Sequence, residues 1–342
     1  MRKLGKQTWF YENKVYLNET ATVAGPREAQ GPLGNTFDIT YDDLHCNEDN
    51  WEKAERRLLE QSIQTCIKKD NLQTDQVDLM ISGDLLNQIV TSNYAAKTLA
   101  IPFFGIFGAC STSMQSLALA SALVDAGFIN NAVAATSSHN ATAERQFRYP
   151  TEYGGQKPAS STTTITGAGA GLVSKKANKQ VNIRVESATI GKVMDYQMGD
   201  PFDLGTAMAP AAYDTIKTHL GDVGRTPSDY DLILTGDLSS VGSPILKDML
   251  KEDGINIDEV HNDCGLMVYN SDQQVFAGGS GCACSAVVTY GHIFSELLKG
   301  NLNKVLVVAT GALMSPTMVQ QKETIPTIAH GVVLMREELN QS

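Results

Sequence analysis

The chain contains one α/β unit written twice, and this duplication restricts its fold more than any other feature. The paired segments are DLMISGDL (78–85) with DLILTGDL (231–238), GACSTSMQSLALASALVDAG (108–127) with CACSAVVTYGHIFSELLKG (282–300), and AGLVS (170–174) with HGVVL (330–334). The interval from Cys110 to Thr136 equals the interval from Cys284 to Thr310. Three repeats in the same order predict duplication of a whole structural unit.

Local patterns predict that each unit alternates strands with helices. NAVAATS (131–137) and KVLVVATG (304–311) are apolar on both faces, as strands buried between helix layers are. Segments 49–69 and 206–219 have helical spacing, with Pro210 expected in the first turn of the second helix or at a kink. This alternation predicts a mostly parallel sheet. The polar stretch KKANKQ (175–180) predicts a boundary between halves at 1–175 and 176–342.

Charge and hydropathy exclude several classes of protein. The net charge is −11 and no basic stripe is present, so a nucleic-acid partner is not expected. No apolar run approaches the roughly 20 residues that span a bilayer. The N-terminal segment has basic residues but no apolar stretch after them, unlike a secretion signal. Six cysteines in a chain of 342 residues do not suggest a disulfide scaffold, so we expect a reducing, intracellular setting.

Cys110 is the main candidate for chemistry. It follows an apolar strand and a Gly-Ala turn, and it opens a helix. A thiol at this position faces unpaired backbone N–H groups and the positive end of the helix dipole, which lower its pKa. The alternative is that Cys110 is a small buried hydrophobic residue, as most free cysteines are. The local residues leave both interpretations open.

A strand leading to a cysteine at the start of a central helix, with a second copy that lacks the nucleophile's role, resembles the thiolase and ketoacyl-ACP synthase superfamily. The resemblance extends over about residues 20–336. The superfamily implies a thiolase-like α/β fold with two duplicated halves in α-β-α-β-α layers and mostly parallel mixed sheets. Four segments further resemble the stage V sporulation protein AD family of endospore-forming bacteria: KQTWFYENKVYLNETATVAGPREAQGPLG, DLMISGDLLNQ, GIFGACSTSMQSLALA and GGSGCACSAVVTYGHIFSELL.

That family resemblance implies binding rather than condensation chemistry. It implies binding of dipicolinate (pyridine-2,6-dicarboxylate), free or as its calcium chelate, for uptake during sporulation and release in germination. The expected partners are the other SpoVA membrane proteins, with peripheral association at the spore inner membrane. Thiolase-like relatives usually dimerise through the sheet of the first half, so a homodimer is expected. No cofactor and no metal site are expected.

The residues that assist the nucleophile in condensing enzymes are missing at their expected positions. Those enzymes use His with Asn, or two His, to polarise a thioester carbonyl and to move protons. This chain has Gly236-Asp237 at one position and Gly281-Cys282 at the other. The negative charge of Asp237 would oppose a thiolate, and Cys282 is a weak donor. We therefore expect no catalytic residue: Cys110 is a vestigial nucleophile on the floor of an anion pocket that includes Asp237, Gly281 and Cys282.

The connection at 137–166 is expected to lie over this pocket. It carries Arg145 and Arg148, whose guanidinium groups suit a dicarboxylate, although most loop arginines are simply solvated. His139 follows the strand and is a candidate neighbour of Cys110, although a lone histidine is more often structural. The methionine-rich segment 198–210 is expected at the pocket entrance.

Three functions remain open at this point. The first is a non-catalytic dipicolinate-binding protein. The second is an acyltransferase that uses Cys110 with His139 or His330 as helper. The third is a scaffold that keeps the fold only to hold an assembly together. Two further motifs carry no function: the Cys282-x-Cys284 pair is too weak a metal signal, and GAGAG (167–171) lacks the spacing and lysine of a phosphate loop, so close packing is expected there.

Overall fold

The computed structural model describes residues 1–147 and 157–338. The strands are β1 (Arg2–Leu4), β2 (Thr8–Phe10), β3 (Tyr16–Ala24), β4 (Ile39–Thr40), β5 (Leu79–Gly83), β6 (Phe103–Gly105), β7 (Asn131–Ser138), β8 (Thr163–Thr164), β9 (Gly167–Ser174), β10 (Val181–Thr189), β11 (Leu232–Thr235), β12 (His261–Asp263), β13 (Gly279–Ser280), β14 (Lys304–Ala312) and β15 (Thr327–Glu338). The helices are α1 (Pro26–Ala29), α2 (Trp51–Lys69), α3 (Val90–Leu99), α4 (Thr112–Asp125), α5 (Asn140–Phe147), α6 (Leu204–Val223), α7 (Ser239–Glu252), α8 (Cys264–Met267), α9 (Cys282–Val287), α10 (Phe294–Lys299) and α11 (Pro316–Gln320).

The two halves have the same sheet topology. The order is β3-β9-β7-β5-β6 in the first half and β10-β15-β14-β11-β12 in the second. In each half four of these strands run in one direction, and the fifth in chain order, β9 or β15, runs against its neighbours. Antiparallel pairing of β3 with β10 joins the halves. The duplication and the mostly parallel mixed sheet are confirmed, and the predicted linker at 175–180 connects β9 to β10.

The elements stack in five layers, as expected. Helices α4 and α9 lie in the middle and pack against strands of both halves. Helices α2 and α3 cover the outer face of the first sheet, and α6 and α7 cover that of the second. Helix α4 is buried on nearly every side, whereas α2 buries one face through residues such as Leu58 and Ile63. This difference explains why α2 shows helical periodicity in the sequence and α4 reads as a continuous small-residue and apolar run.

The glycines of GAGAG (167–171) allow α9 and the turn after it to approach β9 closely. A Cβ at Gly169 would lie 2.9 Å from the Cβ of Ala286, and one at Gly171 would lie 3.0 Å from the Tyr290 ring. Tyr290 belongs to a π-helical turn, Val288–Ile293, that connects α9 to α10. The prediction that small residues in this strand permit close packing is confirmed.

Two helix starts test the local reading of the sequence. Helix α2 begins as expected, with the Asn50 side chain accepting a hydrogen bond from the Lys53 amide at 2.9 Å. Helix α6 begins at Leu204, capped by Asp203, so Pro210 does not lie in the first turn; it lies inside the helix, the other predicted position, and is buried. Within residues 1–147 and 157–338, no helix has both the length and the hydropathy of a membrane-spanning segment.

Candidate ligand-binding site

Cys110 lies in a tight turn at the start of α4. The turn, Ala109–Ser111, is a short 3₁₀ segment, and Ala109 adopts the left-handed region with φ of 49°. The Ser111 hydroxyl donates to the Gly108 carbonyl at 2.6 Å, and the Thr112 hydroxyl donates to the Ala109 carbonyl at 2.7 Å. Side-chain hydrogen bonds therefore hold the backbone in a conformation that non-glycine residues rarely adopt.

The second half supplies the polar neighbours of this thiol. The Sγ of Cys110 lies 3.9 Å from the hydroxyl oxygen of Ser280. The buried carboxylate of Asp237 accepts hydrogen bonds from the Ser280 hydroxyl at 2.6 Å, the Thr310 hydroxyl at 2.6 Å and the Gly281 amide at 3.2 Å. Asp237 follows β11 and Thr310 lies on β14, so the duplicated strand ends of the second half meet at Cys110.

The expectation that helix α4 lowers the pKa of the Cys110 thiol was wrong. Burial raises the pKa of Cys110 well above its ordinary value, and the nearby charge of Asp237 raises it further. A helix dipole amounts to about half a unit charge, and both the burial of the thiol and the charge of Asp237 oppose its effect. The thiol is therefore protonated at neutral pH and lacks the thiolate that nucleophilic attack requires.

A cavity of about 50 Å³ opens above the thiol. Its lining residues come from both halves: Leu85, Phe107, Ala109, Cys110, Ala143, Glu144, Phe147, Thr164, Leu204, Ser280, Gly281, Ala312 and Met314. Most of these side chains are apolar. The carboxylate among them, Glu144, is paired with the Lys157 ammonium at 2.8 Å.

A larger groove of about 410 Å³ adjoins the cavity. Leu85, Phe107, Phe147 and Met314 line both spaces, so the groove and the cavity are continuous. The end of α5 forms one wall, and the segment 85–89 forms another. The expectation that the connection at 137–166 lies over the pocket is confirmed for α5. Of the segment 198–210, Leu204 lines the cavity.

Gly281 and Cys110 line the cavity as the sequence suggested, and Asp237 lies directly beneath them. Cys282 does not line it: its thiol points away and donates to the Ala109 carbonyl at 2.9 Å. His139 does not line it either. One ring nitrogen of His139 lies 2.7 Å from the Leu44 carbonyl, and the other accepts from the Ala141 amide at 3.1 Å, which makes this side chain part of the architecture.

The two arginine candidates differ in what the structure shows. Arg145 lies outside the cavity, paired with Glu52 and placed over the ring of Trp51, because its position on α5 points toward α2. Arg148 lies outside the described residues. His330, the other candidate helper, is buried on β15, where it accepts from the Gly191 amide at 3.2 Å. Neither histidine candidate belongs to the cavity lining.

Sequence reasoning missed Ser280, Glu144 and the apolar side chains at the junction of the cavity and the groove. Ser280 precedes Gly281 directly, so its place in the predicted second-half motif was a usable signal. Phe147 lies one helical turn after both Ala143 and Glu144 on α5, but this helix was not predicted. Within the described ranges, no cluster of three or more His, Cys, Asp or Glu side chains could hold a metal ion.

Comparison with solved structures shows the fold. OleA from Xanthomonas campestris, bound to cerulenin, superimposes with a TM-score of 0.60 at 13% identity, covering 95% of this chain and 97% of that chain. The 3-oxoacyl-(acyl carrier protein) synthase III of Xanthomonas oryzae gives 0.57 at 14% identity, covering 95% and 100%. Human mitochondrial 3-ketoacyl-CoA thiolase gives 0.57 at 11% identity, covering 94% and 98%. The thiolase-like fold predicted from the sequence is confirmed.

Comparison of sequences shows the family. The profile of the family described as stage V sporulation protein AD (SpoVAD) matches residues 5–335. The stage V sporulation protein AD of Bacillus subtilis is 63% identical over 336 residues, which is 98% of each chain. These matches span both halves and the whole cavity. The chain therefore belongs to the stage V sporulation protein AD family, a group of sporulation proteins built on the thiolase-like scaffold of condensing enzymes.

Proposed function

We propose that this sporulation protein binds dipicolinate without covalent chemistry, in the cavity above Cys110 and the adjoining groove, for uptake during sporulation and release in germination. The observation that carries the proposal is the environment of the thiol. Burial and the charge of Asp237 raise the pKa of Cys110, and Ser280 and Asp237 are its polar neighbours. These groups favour a neutral thiol and offer neither an imidazole nor an amide to polarise a thioester.

The shape of the site suits a flat aromatic ligand. Phe107, Phe147, Leu85 and Met314 form apolar walls at the junction of cavity and groove. Pockets of this kind bind a ring between apolar side chains, with a few polar groups that fix its orientation. The start of α4 forms the floor, where helix N–H groups favour a carboxylate. A cavity of 50 Å³ has room for only a few water molecules, so the ring would extend into the groove.

The charges at the site favour the calcium chelate over the free dianion. The carboxylate of Glu144 lines the cavity, and that of Asp237 lies beneath its floor. Lys157, the cation paired with Glu144, offsets one of these charges. Two added carboxylates would meet like charge at short range. Calcium bound to the ligand oxygens removes most of this repulsion.

Isothermal titration calorimetry tests the proposal. We expect wild-type protein to bind dipicolinate, to bind it more tightly with calcium present, and to bind isophthalate more weakly because isophthalate lacks the chelating ring nitrogen. Glu144→Gln should tighten binding of free dipicolinate several-fold and reduce the gain from calcium, since it removes one negative charge from the lining. Glu60→Gln, which lies on α2 outside the cavity lining, is the matched control.

Absence of binding to either form of the ligand would contradict the proposal and would favour the scaffold interpretation. Equal binding of isophthalate and dipicolinate in the presence of calcium would contradict the preference for the chelate.

The expected partners stay predictions. Strand β6 ends the described sheet in the first half, and it places Phe104 at this edge with half of its surface exposed. An unpaired edge with an exposed aromatic side chain is compatible with the expected homodimer. Association with the spore inner membrane and with other SpoVA proteins is carried over from the family resemblance.

A further inference from the structure

Two buried carboxyl groups that interact electrostatically are hydrogen-bonded to the walls of the cavity and groove. Glu55 projects from α2, and Asp84 follows β5. Both side chains are buried, and the charge of Asp84 acts directly on Glu55. Burial, and then the charges of both carboxyl groups, raise the pKa of the Cys282 thiol, which donates a hydrogen bond to the Ala109 carbonyl in the turn that carries Cys110. The proposed function makes no use of this pair.

Each carboxyl group holds one wall of the site. Glu55 accepts hydrogen bonds from the Thr142 hydroxyl at 2.7 Å and the Ser137 hydroxyl at 3.2 Å, and Thr142 belongs to α5. Asp84 accepts from the Leu86 amide at 3.0 Å and the Ser92 amide at 2.8 Å. These bonds fix the two walls that line the groove, α5 on one side and the segment 85–89 on the other.

The segment 85–89 is strained, and it is also tied to α5. Gln88 and Ile89 are consecutive left-handed residues, with φ of 59° and 49°. Such a conformation is unfavourable for a β-branched residue and persists only where surrounding contacts impose it. The Gln146 carboxamide of α5 accepts from the Asn87 amide at 3.1 Å and donates to the Leu85 carbonyl at 3.2 Å. Separation of the two walls therefore also breaks the hydrogen bonds made by Gln146.

We propose that Glu55 and Asp84 form a proton-dependent latch, with Thr142 and Ser92 as its attachment points, that holds α5 and segment 85–89 closed over the cavity. The cavity of about 50 Å³ is too small to hold the whole ring of a pyridine dicarboxylate, so a ligand in the groove reaches the thiol more deeply when the walls separate. The latch would set how readily this happens. The proposal rests on the proposed function only for the identity of the ligand that enters.

The raised pKa values of Glu55 and Asp84 set the direction in which opening of the walls depends on pH. Burial, followed by the charge of Asp84, raises the pKa of Glu55 to about 8, and burial raises the pKa of Asp84 as well. When the walls open and water reaches Glu55, its pKa returns toward 4.5. Proton release therefore accompanies opening between about pH 4.5 and 8. The opening equilibrium should increase by up to about tenfold for each pH unit in this window and level off above it.

Other titratable groups around the latch narrow the pH range in which the effect of Glu55 can be measured. His139, at the start of α5, faces His45, and burial lowers the pKa of His139 to about 4, so its exposure would favour opening below pH 6.5 and act against Glu55 there. The Cys282 thiol has a pKa well above its ordinary value and ionises above this range. Two ion pairs flank the latch, Arg145 with Glu52 and Lys157 with Glu144. The window from pH 6.5 to 8 therefore isolates the latch.

Hydrogen exchange measured by mass spectrometry tests the proposal without any ligand. After correction for the intrinsic exchange rate, amides of residues 85–92 and 141–147 in the wild type should lose protection by up to about tenfold per pH unit from pH 6.5 to 8. Glu55→Gln should remove this dependence. Asp84→Asn should make it level off at a lower pH, since the like charge that raises the pKa of Glu55 is gone. Glu60→Gln, on the same helix, should behave as the wild type does.

Constant protection of these amides in the wild type, or an unchanged pH dependence in Glu55→Gln, would overturn the proposal. If Glu55→Gln does not fold, Asp84→Asn tests the same proposal through the lower pH at which its loss of protection levels off. If exchange depends on pH as expected but calorimetry shows no dipicolinate binding, the latch stands and the proposed ligand is wrong. The two proposals can therefore fail separately.

Discussion

Replacing Asp237 by asparagine is expected to raise the rate at which iodoacetamide alkylates Cys110 by about tenfold or more near pH 8. In the wild type the charge of Asp237 adds to burial and keeps the thiol protonated. Asparagine has the same shape and no charge, so the thiol should become more acidic while its access to reagent stays the same. Each unit by which the thiol pKa falls increases the thiolate fraction about tenfold.

The rate is read from intact mass against time, at several pH values, with Cys110→Ala to confirm the alkylated site. The matched control is Asp125→Asn, which removes a buried carboxylate at the other end of α4. This control should leave the rate unchanged. Asparagine at 237 leaves imperfect partners for Ser280 and Thr310, at a cost of about 1–3 kcal/mol, so thermal unfolding is measured alongside. An unchanged alkylation rate in a folded Asp237→Asn protein would contradict the account of the thiol.

Replacing Ala143 by phenylalanine is expected to weaken dipicolinate binding at least about 100-fold, which is about 2.7 kcal/mol. Ala143 is buried on α5 and lines the cavity next to Cys110 and Leu85. A benzyl group there would occupy the space above the thiol, and the crowding would cost about 1–3 kcal/mol of folding stability. The protein should therefore stay folded while the site is blocked.

Calorimetry with dipicolinate and calcium measures this loss, and circular dichroism confirms the fold. The control is Ala177→Phe, which adds the same group to the half-buried connection between β9 and β10, away from the cavity. Wild-type affinity in a folded Ala143→Phe protein would place the ligand elsewhere on the molecule.

Much of the fold could be predicted because duplication and strand patterns are written locally in the sequence. The interval shared by Cys110–Thr136 and Cys284–Thr310 predicted matching units, and the structure has the same strand order in both halves. The residues at the two helper positions of condensing enzymes were likewise readable, because the resemblance places those positions after β11 and at the start of α9. The features that the sequence predicted well are therefore those that short segments of a few residues determine.

The details of the site could not be predicted because they depend on contacts between distant segments. The pKa of Cys110 depends on Asp237, which only the packing of the two halves brings close. His139 follows a core strand as expected, yet its ring lies against the Leu44 carbonyl and not in the cavity lining. Arg145 and Ala143 lie two residues apart on the same short helix and therefore on different faces. Arg145 pairs with Glu52, and Ala143 lines the cavity. Such orientations follow from tertiary structure alone.

The most direct test of the central claim, that Cys110 performs no acyl transfer, is the intact mass of the wild-type protein after incubation with acyl-CoA. A ketoacyl-ACP synthase III treated in parallel shows that the reagent is competent, and Cys110→Ala identifies the site of any adduct. The account predicts an unchanged mass at neutral pH, because Asp237 and burial keep the thiol protonated. An acyl group linked to Cys110 would contradict it.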